Sequence, residues 1–131
     1  MTFTELESSE ELSDFIQNNP ICLVTFSATW CNPCKWSKPD LIAMAPKNPN
    51  VPFLYCYEHI LNDDDDDFMN TFTTIFCKGP ITGFPTYICF ENGSEAQRIV
   101  GVKLDEVQAM INNIVQPSTS SSASTTATTS T

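Results

Sequence analysis

Basic residues are scarce in this chain: six Lys and Arg stand against sixteen Asp and Glu, for a formal charge of −10. So few cations can neutralise little backbone phosphate, which excludes a nucleic-acid-binding role. The same sign argues against docking on an anionic membrane. Long apolar runs are missing too. The longest, from Ile21 to Phe26, is far shorter than the ~20 residues needed to cross a bilayer. The opening Met1-Thr2-Phe3-Thr4-Glu5-Leu6-Glu7 has neither the basic nor the apolar stretch of a secretory signal, so a cytoplasmic protein is expected. Thiols stay reduced in that compartment. Histidine is represented by His59 alone.

What is present is bulk and sulfur. A chain of 131 residues suits one domain with one core, and nine Phe, three Tyr and two Trp supply large apolar groups. There are six cysteines. Cys22, Cys56, Cys77 and Cys89 sit singly in or beside apolar segments, where a free thiol behaves as a small apolar side chain. Cys31 and Cys34 are the spaced pair.

Ser8 and Glu11 read as a capping box, followed by Leu12, Phe15 and Ile16 at helical spacing. Asn18-Asn19-Pro20 ends that helix. Ile21 to Phe26 is short, apolar and partly β-branched, which predicts a buried central strand. A helix is expected from Lys35 to about Ala45 with Pro39 inside it, then a strand over Val51 to Tyr57. Phe68, Phe72, Ile75 and Phe76 lie on one helical face after the Asp63–Asp67 run. That run lacks the alternating ligands and central Gly of a calcium loop and reads as a solvated helix start. Thr86 to Phe90 and Ala96 to Val100 form a hairpin about Asn92-Gly93. Asn92-Gly93-Ser94 also matches a glycosylation acceptor but is read as the turn. Val107, Met110, Ile111, Ile114 and Val115 stripe a last helix. The order is α-β-α-β-α-β-β-α, an α/β fold with a mixed central sheet of about four to five strands and helices on both faces. The domain is expected over residues 1–116. Residues 117–131 are Ser, Thr and Ala after Pro117 and Gln116, too polar to order themselves, and are expected to be a disordered tail.

Trp30-Cys31-Asn32-Pro33-Cys34-Lys35 follows a buried strand and opens a helix. Free N–H groups and the positive end of the helix dipole stabilise a thiolate there. Cys31 is expected to be the exposed attacker and Cys34 to lie one turn on, with Pro33 stiffening the loop. A Cys-x-x-Cys pair can also hold zinc, but a tetrahedral site needs four ligands and no second pair exists. At a strand-to-helix junction the pair reads as a redox dithiol.

The stretch Val24 to Lys35 resembles the thioredoxin active-site segment, with Asn32 where most members have Gly. Pro39 is similar to the family's kinking proline. Gly83-Phe84-Pro85-Thr86 resembles its cis-proline segment, and Phe90-Glu91-Asn92-Gly93 with Gly101 resembles its hairpin and following glycine. The resemblance covers roughly residues 5 to 116 and implies the thioredoxin fold. It implies Cys31 as nucleophile, Cys34 as resolving thiol, and a substrate surface of Trp30, Pro33, Phe84 and Pro85. It implies no metal or organic cofactor. The expected partners are disulfide-containing proteins and a thioredoxin reductase or equivalent reductant, and a monomer is expected. Two departures stand out. The family's buried Asp is replaced by Thr25, and its accompanying Lys is absent, the position falling near Leu54. The resulting expectation is a protein-disulfide reductase. The alternatives are an oxidase or isomerase, and a binding or regulatory module with a vestigial dithiol.

Overall fold

A computed structural model describes residues 3–59 and 76–115. The helix expected after the Asp63–Asp67 run lies outside these residues apart from Phe76, and so does the Ser/Thr/Ala tail. Five strands form one sheet in the order β1-β3-β2-β4-β5. They are β1 (Phe3–Glu5), β2 (Ile21–Ser27), β3 (Phe53–Tyr57), β4 (Thr86–Glu91) and β5 (Ser94–Val100). β1 and β2 both run parallel to β3, while β4 is antiparallel to β2 and to β5. The sheet is therefore mixed, with β2 at its centre, as its apolar run predicted. β1 is absent from the sequence reading. Its three residues are too few to show an alternation.

Three α-helices are described: α1 (Ser9–Asn18), α2 (Asn32–Met44) and α3 (Leu104–Val115), with a short 3-10 turn at Ala45–Lys47. Ser8 caps α1 by accepting the Glu11 N–H, and Glu11 in return accepts the Glu7 N–H. The pleat of β2 sorts the core into two layers. Cys22, Val24 and Phe26 pack with Leu12 and Ile16 of α1. Leu23, Tyr55 and Tyr87 pack with Leu41 of α2 and with Val107, Met110 and Ile111 of α3. Helices thus cover both faces. Asn92 and Gly93 both have positive φ, 53° and 89°, which suits a tight hairpin turn whose twist matches the strands. Gly101 has φ 94° and donates its N–H to the Pro85 carbonyl at 2.8 Å, tying the end of β5 to the start of β4.

Candidate active site

β2 ends at Ser27, and the chain turns over Ala28 to Trp30 into α2. The Cys31 N–H closes this turn on the Ala28 carbonyl at 3.1 Å. Cys31 is the N-cap of α2, and its Sγ accepts the Cys34 N–H at 3.3 Å. Sulfur here takes the part that a Ser or Asp oxygen plays at most helix starts. Pro33 sits in the first turn, where its missing N–H costs no helical bond. α2 therefore begins three residues earlier than the sequence reading placed it, and Cys34 falls inside its first turn. Cys31 and Cys34 are joined by a disulfide, with Cα atoms 5.3 Å apart. Ser37 donates its hydroxyl to the Pro33 carbonyl at 2.6 Å, bracing the same turn from below.

The expectation of an exposed Cys31 is corrected. It is 4% exposed and Cys34 1%. The pair packs with Ala28, and the partly buried ring of Phe84 lies against this cluster. Trp30 is the exposed group beside it, at 66%. Its indole stands edge-on to Phe84 at 5.7 Å, and its Nε1–H donates to Glu58 at 2.8 Å. Sequence reasoning missed this Trp30–Glu58 link, which joins the dithiol turn to the residue following β3. The Phe84–Pro85 peptide is cis, as the resemblance implied, and Pro85 is buried. The structure thus brings Trp30, Phe84 and the dithiol together, with exposed Pro33 between the two sulfurs in sequence.

Thr25 is buried on the α2 side of the sheet, in register with Tyr55 of β3 and Tyr87 of β4. Leu54, near which the place of the family's accompanying Lys falls, belongs to the opposite layer, with Val24 and α1, because successive strand residues face opposite ways. Burial pushes the phenols of Tyr55 and Tyr87 above their usual range. Tyr55 donates to the buried Ser27 hydroxyl at 3.0 Å. These hydroxyls were not singled out from sequence, since pairing across strands is invisible along the chain.

The remaining thiols are separate. Cys22, Cys56 and Cys89 are buried and Cys77 is half-buried; all four are free. Burial pushes each of them up to about 12, so they are neutral at physiological pH. Beside Cys77, Arg98 bonds Glu95 and the carbonyls of Gly79 and Pro80, fixing the segment that leads to Gly83 and Pro85.

The family model for thioredoxin matches residues 3–113. Thioredoxin H2 of Arabidopsis thaliana is 31% identical over 98 residues, which is 75% of this chain and 65% of that protein. The chain therefore spans just under two thirds of that relative's length. Thioredoxin H-type 1 of Nicotiana tabacum is 29% identical over 86% of this chain and 81% of its own. Among solved structures, the thioredoxin NaTrxh from Nicotiana alata superposes with a TM-score of 0.67 at 28% identity, covering 84% of this chain and 90% of that one. With the family model matching most of its length and its disulfide at the head of a helix, the chain belongs to the thioredoxin family, a family of protein-disulfide oxidoreductases.

Proposed function

We propose that this protein reduces disulfides in other proteins by dithiol-disulfide exchange. One observation carries the reading: Cys31 and Cys34 close a disulfide at the N-cap of α2, beside an exposed Trp30. With the disulfide closed, the Cys31 sulfur already accepts the Cys34 N–H at the positive end of the helix, and that placement favours a thiolate on Cys31 once the pair is reduced. That thiolate attacks one sulfur of a substrate disulfide. The substrate S–S bond breaks, its other sulfur leaves as a thiolate, and Cys31 is held in a mixed disulfide. Cys34 then gives up its proton and attacks the Cys31 sulfur. The substrate leaves with both thiols reduced, and the Cys31–Cys34 bond carries the two-electron oxidation. A thioredoxin reductase or an equivalent dithiol reductant returns the two electrons.

Trp30, Pro33, Phe84 and Pro85 form the surface against which the substrate chain lies. Neither a metal nor an organic cofactor takes part in this scheme. The protein acts as a monomer in the cytoplasm, residues 1–116 form the working domain, and residues 117–131 take no part in the chemistry. Among the described residues no helix is long and apolar enough to cross a membrane. Reduction of insulin by the purified protein with a dithiol reductant tests the reading. Turnover lost in Cys31→Ser supports it. A second reading, a binding module with a slow dithiol, draws support from Thr25, which supplies no carboxylate beneath α2. Insulin turnover no faster than the reductant alone would favour that module.

A further inference from the structure

We propose that Tyr55 is a positioning residue for the dithiol, bracing both ends of the turn that carries Cys31 and Cys34. Ser27 stands four residues before Cys31, and Lys38 stands four residues after Cys34. Tyr55 meets both. Its hydroxyl donates to Ser27 Oγ at 3.0 Å, and Lys38 Nζ lies 4.8 Å from its ring centroid, within the range of a cation–π contact. Tyr55 is 2% exposed and Ser27 0%, so their bond is made away from water. Lys38 is held over the ring by a second set of partners, the Glu5 carboxylate of β1 and the Tyr57 hydroxyl at 3.2 Å. Tyr55 itself sits in β3, in register with Thr25 of the central strand. One rigid ring thus ties the strand that feeds the turn to the helix that leaves it.

The brace acts on the reduced form. When the disulfide is closed, the covalent bond holds the two sulfurs together. When it is open, their proximity depends on the ends of the turn staying fixed, and held geometry is what makes an intramolecular reaction fast and favourable. Removing the Tyr55 hydroxyl therefore weakens the tendency of Cys31 and Cys34 to close on one another relative to an outside thiol. The inference rests on these two residues being the working dithiol, but its readout needs no protein substrate.

The test equilibrates the full chain with mixtures of reduced and oxidised glutathione and measures the closed fraction by alkylation and mass. Wild type is compared with Tyr55→Phe, Ser27→Ala, the double variant and Lys38→Met. Tyr55→Phe is expected to lower the closing equilibrium constant by about threefold to tenfold, the scale of one buried hydrogen bond. Lys38→Met shifts it in the same direction. In the double variant both polar partners are gone, so the melting temperature recovers toward wild type while the equilibrium stays shifted. An unchanged equilibrium in Tyr55→Phe overturns the proposal, and so does an equilibrium that returns with the melting temperature in the double variant. Should Ser27→Ala fail to fold, Tyr55→Phe alone decides by the first criterion. A wild type that never closes the disulfide overturns this inference and the proposed function together. A wild type that closes it and reduces insulin, with variants indistinguishable from it, overturns the inference alone.

Discussion

Cys34 must lose a proton before it can attack, and Thr25 stands where the family places a buried carboxylate. A threonine hydroxyl cannot take a proton at neutral pH. The wild-type mixed disulfide is therefore expected to decay faster as pH rises, when Cys34 ionises to solvent or through water. Thr25→Asp would place a carboxyl group in a dry site with a raised pKa, poised to act as a base. We expect it to speed decay by about tenfold near neutral pH, at a cost of roughly 1–3 kcal/mol in stability for the buried polar group. Stopped-flow decay measured against pH in both proteins checks this. Equal rates throughout would hand the role of base to another group, with Glu58 the first to test. The other four thiols behave oppositely to a reactive pair. Each is raised from 9.0 to about 12 by burial, so the folded state holds their protons longer than the unfolded chain does. Their contribution to stability is complete below about pH 9 and is lost as pH climbs toward about 12. Denaturant unfolding at several alkaline pH values should show a falling midpoint. Mild peroxide at neutral pH should consume the thiols of Cys31 and Cys34 and spare these four.

At the scale of elements, the Glu95–Arg98 pair governs the approach to Pro85. Burial alone would raise the Glu95 carboxyl, but hydrogen bonds from Arg98 and from the Lys78 N–H outweigh it and hold the group below its usual value. Its contribution is present above the ordinary carboxylate pKa and is lost as pH falls through the lower folded value. Arg98→Met leaves a buried carboxylate without its cation and frees the Gly79 and Pro80 carbonyls. We expect a loss of about 2 kcal/mol and a raised KM for protein disulfides, because that segment leads to the cis-proline. Thermal melting and insulin kinetics measure the two effects. An unchanged KM would confine the pair to a structural role. Much of this level was legible along the chain. The Ser8 cap, the apolar β2 and the Asn92-Gly93 turn each carry a local signal strong enough to survive folding. β1 was not legible, because three residues acquire their strand character from β3, a partner distant in sequence. The start of α2 was misplaced because a cysteine sulfur, not an oxygen, caps it.

For the molecule as a whole, the reactive dithiol and the cis-proline were visible as motifs, while the support beneath them was not. Ser27, Tyr55 and Lys38 look unremarkable one by one, and they meet only when β2, β3 and α2 assemble. Thr25 was legible as a departure, but its β3 neighbour Tyr55 was not, since the register between two strands is set only when they pair. Composition alone argues that residues 117–131 add nothing to the fold. Removing them is expected to leave melting temperature and insulin turnover unchanged, and a drop of several degrees would show that they dock. The chain's formal charge of −10 should favour substrates and reductases with basic rims, through association rate more than through final affinity. The central claim is that Cys31 attacks and Cys34 resolves. Mass mapping of the adduct formed between the Cys34→Ser variant and a disulfide-bonded protein tests it most directly. The account predicts a stable mixed disulfide on Cys31 that accumulates in Cys34→Ser and is absent from Cys31→Ser. An adduct carried by Cys34 in the Cys31→Ser variant, with none on Cys31 in the Cys34→Ser variant, would contradict it.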